Sequence, residues 1–223
     1  MKNGSFPPLF HSPEDPWASL KRSARRRAFR RKEVLARLGD PASELYLLEQ
    51  GHVRLYSRSP QGRNLTLSVV EPGDIFGEMA LFPNQSWVSD AQALSDGALY
   101  AIPRHEVERL FEQDPTLVLR VMENLGQRLQ AVERRLGDLV FKSVPERLAA
   151  LLLDLVDPRS RQGAGPTPVP NRYTHLQLAE MINTHRETVT KVFNRFRDDR
   201  LLDFDRRGIV LLDMERLREM ALR

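Results

Sequence analysis

Residues 174–197 read THLQLAEMINTHRETVTKVFNRFR, and the fold of the chain turns on them. Thr174 followed by Gln177 has the form of a capping box, in which the hydroxyl accepts from backbone N–H and the amide reaches back. Thr184 followed by Glu187 has the same form. Two helix starts ten residues apart leave room for a helix of about two turns, a tight turn at Asn183 and a second helix. Asn tolerates the left-handed backbone that such a turn requires. On the second helix Val189, Val192, Phe193 and Phe196 share one face. Glu187, Lys191 and Asn194 point the other way, flanked by Arg186 and Thr190. This is helix-turn-helix spacing, with the polar face of the second helix free to enter a major groove.

The residue types suit base reading. Arg186 has the side chain best shaped for a guanine edge, and Glu187 can accept from a cytosine amino group. Lys191, one turn on, reaches another guanine or a phosphate. Glu187 cannot cap its helix and read a base with the same oxygen, so Arg186 is the firmer base reader. Thr174, His185, Thr188, Thr190 and Arg195 complete the expected contact set. Downstream, LLDFDRRGIVLLD (201–213) is a hairpin with Arg206, Arg207 and Gly208 at its tip, a wing suited to the phosphate backbone.

Working back toward the N-terminus, Val118, Met122, Leu125, Leu129, Val132, Leu136 and Leu139 alternate spacings of four and three. That is the seam of a parallel coiled coil, and it predicts a long helix that pairs two copies of the chain. After Phe141 a second apolar helix, PERLAALLLDLVD, starts at Pro145; RSRQGAGPTPVPN (159–171) then reads as loop.

The first half has another rhythm. Gly39, Gly51, Gly62 and Gly73 are spaced 12, 11 and 11 residues apart, and the runs ELYLLEQ, HVRLYSR and RNLTLSVV lie between them. VSDAQAL and GALYAIP add further strands. Turns at this interval predict an antiparallel barrel or jelly roll of about eight short strands between Ala28 and Ile102. The expected fold class is therefore α+β. An N-terminal extension (1–27) leads into a jelly-roll-like β-roll (28–112), a dimerisation helix (113–142) and a winged helix-turn-helix domain (143–223).

Composition narrows the chemistry. There is no cysteine, which removes disulfides, iron–sulfur clusters and thiolate catalysis. The five histidines, His11, His52, His105, His175 and His185, include no pair at metal-ligand spacing. No nucleophile–base pair or phosphate loop supports an enzyme reading. The N-terminus lacks an apolar core of signal-peptide length and no run suits a membrane span, so a cytoplasmic protein is expected. A net charge of +4 is compatible with nucleic acid. The cluster KRSARRRAFRRK (21–32) reads as a solvated edge strand with its lead-in.

Three stretches together, RNLTLSVVEPGDIFGEMALF, RLQAVERRLGDLVF and RETVTK, resemble the Crp–Fnr family of bacterial transcription regulators, over about Ala28 to Asp213. RETVTK is closer to the cyclic-AMP receptor branch than to the iron–sulfur branch. The resemblance implies a homodimer on double-stranded promoter DNA with a TGTGA-like inverted repeat, read by Arg186, Glu187 and Lys191. RNA polymerase is the implied protein partner. Lys191 stands where that branch usually has Arg, which loosens preference at its base pair.

The resemblance also implies an effector pocket at Gly77, Glu78, Met79, Val88, Ser89, Arg128 and Val132, with cyclic AMP as the candidate ligand. Gly77, Glu78 and Arg128 match that branch. Val88 and Ser89 stand for its phosphate-holding Arg-Ser pair, and Val132 and Glu133 for the Thr-Ser pair that holds adenine. Between Asn64 and Pro103 there are five acids and no Lys or Arg. A buried phosphate without a cation loses several kcal/mol of charge-assisted bonding. The sensor is thus expected to be degenerate or retuned. A cyclic-AMP-responsive activator is the alternative, and a cyclic-nucleotide signalling module that docks a protein instead of DNA is a further one.

Overall fold

The computed structural model describes residues 15–156, 165–170, 173–205 and 208–222. It divides into two compact units. The first comprises residues up to Leu55 together with Val69–Arg128; the second comprises Tyr56–Ser68 and the chain from Leu129 onward.

The first unit begins with a short helix α1 (Ala18–Arg22) and holds most of eight strands: β1 (Arg25–Phe29), β2 (Val34–Ala36), β3 (Glu44–Gln50), β4 (Val53–Arg58), β5 (Asn64–Val70), β6 (Ile75–Phe76), β7 (Asp90–Ala93) and β8 (Gly97–Pro103). They form two four-stranded sheets, in the orders β1-β8-β3-β6 and β2-β7-β4-β5. The turns at Gly39, Gly51, Gly62 and Gly73 all have positive φ, as their spacing required. At Gly51 a side chain is also excluded by space, since an added Cβ would lie 2.6 Å from the Asp96 carbonyl.

Strand β3 shows why its sequence is nearly all apolar. Tyr46 and Leu48 face the roll interior with Phe29, Val53, Leu55, Val70, Phe76, Trp87 and Leu99. Leu45 and Leu47 face outward, yet they are fully buried under Trp17, Leu20, Val107, Leu110, Leu117 and Val121. Those covering residues come from α1 and its lead-in, α2 (Arg104–Gln113) and the first turns of α3 (Pro115–Phe141). A strand covered on both faces loses the apolar–polar alternation of a half-exposed one. Each fully buried leucine there contributes about 1.5–3 kcal/mol.

The basic cluster lies where the sequence placed it. β1 is the edge of its sheet, and its arginines are paired: Arg25 with Glu44 at 3.6 Å, Arg26 with Glu49 at 2.7 Å and Arg27 with Glu33 at 2.7 Å. Charge on an edge strand opposes pairing with another chain.

In the second unit, Ser143 caps α4 (Val144–Asp154) in a capping box with Glu146 and with Pro145 in the first turn. A two-residue strand β9 (Thr167–Pro168), the helices α5 (His175–Met181) and α6 (Arg186–Asp198), the strands β10 (Leu202–Asp205) and β11 (Gly208–Leu211), and α7 (Met214–Ala221) follow. The strands form an antiparallel sheet in the order β10-β11-β9. β9 lies inside the stretch read as loop. Its two residues form a strand only because Val210 and Leu211 of β11 pair with them, and Pro168 is tolerated on that edge. Among the described residues no helix is long and apolar enough to cross a membrane.

The seam on α3 is partly redirected. Met122, Leu129 and Leu136 are 59–62% exposed and Val132 is 38% exposed. Val118 is only half-exposed. Leu125 packs on the core under α2, and Leu139 lines a cleft with Leu151 of α4 and Met181 of α5. The open apolar stripe is instead Leu119, Met122, Leu129, Val132, Leu136 and Val140. It drifts from the 3.5-residue seam because a single helix must also cover its own domain.

Candidate nucleic-acid interface and effector pocket

Thr174 caps α5 as its sequence implied: its Oγ1 accepts from Gln177 N at 3.2 Å, and Gln177 Oε1 accepts from Thr174 N at 2.9 Å. The turn beyond α5 carries Asn183 at φ 51°. Thr184 N donates to Ala179 O at 2.9 Å, so Thr184 belongs to the closure of α5 and not to the start of α6. The cap of α6 is His185, in extended backbone and without a side-chain cap bond. The Thr184–Glu187 capping box therefore does not form. Glu187 is left exposed, which removes its conflict between capping and reading.

Val189, Phe193 and Phe196 of α6 are buried. Glu187, Lys191 and Asn194 are exposed on the opposite side, Arg186 and Arg195 are exposed at its flanks, and His185 is exposed at the cap. Arg195 has only a loose 3.8 Å contact with Asp199. Thr188 is half-buried. Arg206 and Arg207, at the expected wing tip, lie outside the described residues.

Thr190 is occupied within the protein. Its hydroxyl donates to Arg186 O at 3.0 Å, and its oxygen is 2.9 Å from His175 Nδ1. A hydroxyl has one hydrogen, so His175 Nδ1 is the donor in that pair. The imidazole stacks on Phe193 with centroids 4.8 Å apart and lies 6.2 Å from the Phe204 ring of β10. Burial and, next, the Arg186 guanidinium push the His175 pKa below its ordinary value. Reading the sequence passed over His175; its partners are 15 residues or more away and no local pattern marks them.

In the roll, Gly77 takes the left-handed backbone that the turn needs, φ 75°, and Glu78 opens the 3₁₀ turn Glu78–Leu81. Glu78 Oε2 is 2.6 Å from Arg128 Nη2. Arg128 Nη1 also donates to Ile75 O at 3.2 Å, while Asn124 Oδ1 accepts from Ile75 N at 3.2 Å and Asn124 Nδ2 donates to Asp74 at 3.1 Å. Two residues of α3 thus clip the segment from Asp74 to Glu78 through contacts within the protein. A Cβ on Gly77 would lie 3.1 Å from the Trp87 ring, so the indole covers the glycine. Trp87 also stacks on Tyr46 at 5.9 Å and meets Phe76 edge-on at 6.2 Å. Burial, then Glu44, pushes the Tyr46 hydroxyl up to about 12.

Ser89 is buried and Met79 half-buried, but Val88 is 63% exposed and faces away from the roll interior. The period-two alternation Trp87, Ser89, Ala91, Ala93 sets those four inward and Val88 outward. Val132 lies on the open stripe of α3. Among the described residues no cluster could hold a metal ion.

Two family models match: the cyclic nucleotide-binding domain over residues 26–114 and the Crp-like helix-turn-helix domain over residues 146–220. The chain is 32% identical over 194 residues to the cyclic AMP receptor protein of Thermus thermophilus, covering 86% of each. The chain belongs to the Crp–Fnr family of transcription regulators. The regulator SdrP of the same organism is 33% identical over 182 residues, covering 81% of this chain and 85% of SdrP. The solved structure of TTHB099, a CRP-family transcriptional regulator from Thermus thermophilus, superposes with a TM-score of 0.73 at 30% identity, over 88% of this chain and 97% of that one. As a Crp–Fnr regulator the chain carries a helix-turn-helix DNA-binding domain.

Proposed function

We propose that this regulator acts in the cytoplasm as a homodimer on promoter DNA with a TGTGA-like inverted repeat, contacting RNA polymerase there. Arg186, Glu187 and Lys191 read base edges. Thr174, His185, Thr188, Arg195, Arg206 and Arg207 hold the backbone, and Thr190 acts indirectly, through the Arg186 carbonyl. The observation that carries this reading is the set of exposed charged residues on α6, away from and flanking the buried face of Val189, Phe193 and Phe196. Two-fold pairing is supported by the open apolar stripe on α3. Gly126 lies within that stripe, where a Cβ would meet nothing in its own chain. Glycine in a helix costs about 1 kcal/mol relative to alanine, and close approach of a second helix is what it offers in return.

We further infer that the sensor works without cyclic AMP. Trp87 fills the space over Gly77, Glu78 is held by Arg128, and residues 64–103 offer no cation for a phosphate. The residues present do not fit a cyclic nucleotide as they are arranged. A cyclic-AMP-responsive activator is the second reading, favoured by the Gly77–Glu78 turn and by relatives such as the CRP-like cAMP-activated global transcriptional regulator of Mycobacterium tuberculosis, 28% identical over 183 residues.

A band-shift titration on duplexes with and without the inverted repeat tests the DNA reading. Arg186→Ala is expected to cost about 1–3 kcal/mol and to relax preference at one base pair, whereas loss of a phosphate contact weakens all sequences alike. Equal binding of Arg186→Ala and the parent to the repeat refutes the assignment. Calorimetric titration of cyclic AMP beside DNA binding without ligand separates the two sensor readings.

A further inference from the structure

His175 is a histidine that the proposed reading does not use, although it sits between the recognition helix α6 and the wing strand β10. One nitrogen is committed: Nδ1 donates to Thr190, whose own hydrogen goes to the Arg186 carbonyl. The ring faces are committed as well, with Phe193 stacked at 4.8 Å and Phe204 at 6.2 Å. The ring is nonetheless only half-buried, and among the described residues Nε2 has no hydrogen-bond partner. In the neutral tautomer that Thr190 imposes, Nε2 has a lone pair and cannot donate. A proton there would create an N–H donor with a full positive charge, held in place by two aromatic rings and a threonine.

We propose that His175 is a DNA contact that forms on protonation, donating from Nε2 to a backbone phosphate beside the one that Arg186 approaches. The proposal rests on the DNA-binding reading of α6 but not on its base sequence, because a phosphate carries no sequence information. The charges around the ring fix the direction of the effect. On α6 the charged group acting on it is Arg186, and β10 presents the uncharged Phe204 ring. α5 itself carries no charged side chain before Glu180. Burial and Arg186 both disfavour the cation, so His175 is neutral at pH 7 in the free protein. A phosphate has the opposite sign to Arg186 and favours the cation. DNA binding then takes up a proton, and the association constant rises as the pH falls. The contact also reaches α6 through Thr190, so His175 positions the first turn of the recognition helix while it holds DNA.

The test is DNA affinity of the full-length protein by fluorescence anisotropy between about pH 6 and 8, at fixed ionic strength. It uses both a TGTGA inverted repeat and a random duplex. His175→Asn keeps a donor near the Nδ1 position and cannot take up a proton; His105→Asn, on α2 and outside the DNA-contact set, is the control, and His185→Asn assays the other histidine of that set. On both duplexes the parent and His105→Asn should gain up to about tenfold in affinity per pH unit for each subunit bound. His175→Asn should lose that gain. No preference for the repeat, with the pH slope intact, sinks the sequence assignment and leaves His175 standing. A slope unchanged in His175→Asn, or lost only in His185→Asn, overturns the proposal. Should His175→Asn fold poorly, imidazole NMR titration of the parent decides. An apparent His175 pKa that rises on adding duplex supports the contact, and one that stays put overturns it.

Discussion

Replacing Glu78 with Gln tests the clip between the roll turn and α3. In the native protein the carboxylate lies 2.6 Å from Arg128, and the two side chains are 23% and 19% exposed. Fully exposed ion pairs couple by about 0.2–1 kcal/mol, whereas a hydrogen bond to a charged group contributes about 1.5–3 kcal/mol. A pair about four-fifths removed from water falls between, so the coupling should be about 1–2 kcal/mol. Arg128→Ala should cost more than Glu78→Gln, because it also strips the donor from Ile75 O. With Arg128 already gone, Glu78→Gln should cost almost nothing. Urea unfolding followed by tryptophan fluorescence suits the measurement, since the two tryptophans, Trp17 and Trp87, are both buried in the first unit. Protein concentration must be held fixed across the cycle, because a dimer's stability depends on it. Single-mutant costs that add to the double-mutant cost within about 0.5 kcal/mol would mean the pair is not coupled, and the clip would lose its central contact. If the coupling is present, Glu78→Gln should also weaken ligand-free DNA binding, and added cyclic AMP should not restore it. Restoration by the nucleotide would refute the ligand-independent reading of the sensor.

Leu129→Asp and Leu136→Asp place a charge on the open stripe of α3, where each leucine is about 60% exposed in its own chain. The expected outcome in analytical ultracentrifugation is a folded monomer with at least tenfold weaker DNA binding; an unchanged dimer would place the interface elsewhere. Acid should destabilise the roll through His52, whose pKa burial holds below the ordinary 6.5. The unfolded chain then takes up its proton first, so this contribution is complete above about pH 6.5 and lost as the pH falls through the folded value. Thermal melts should show a shallower decline below pH 6.5 in His52→Gln; an identical decline would assign the effect to other groups.

What could be read from the sequence was what is local. β3, β4 and β5 follow from glycine turns at regular spacing, β8 from the apolar run GALYAIP, and α5 from the Thr174 cap. The failures share a cause. β9 is a strand only because β11 lies beside it, and the clip joins Ile75 to side chains 49 and 53 residues away. Neither leaves a periodic trace. The false capping box at Thr184 shows a different limit. The motif is present, but the left-handed Asn183 and the bond from Thr184 to Ala179 keep the chain in the turn for one residue more. Val88 was open to correction without a structure. Apolar residues at positions 87, 91 and 93 already set the inward parity, and the strand period places position 88 on the other face.

Charge placement, more than net charge, separates the two halves of this regulator. The densest run of arginines, on β1, faces glutamates of β3 and the β1–β2 turn, so three of its cations are neutralised within the first unit. The stretch from Asn64 to Pro103 adds five acids and no cation. That stretch therefore offers a phosphate no cation of its own, although Arg30, Arg31, Lys32 and Arg37 remain exposed elsewhere in the first unit. On α6 the arrangement is reversed. Arg186, Lys191 and Arg195 are exposed, and among the described residues only Arg195 has even a 3.8 Å carboxylate contact. A net charge of +4 would be weak evidence for nucleic acid if it were spread evenly. Cations exposed together on one helix suit the proposed DNA contact, because the counterions they hold are released when phosphates replace them. The same accounting holds at the roll turn, where Glu78 and Asp74 are spent on Arg128 and Asn124.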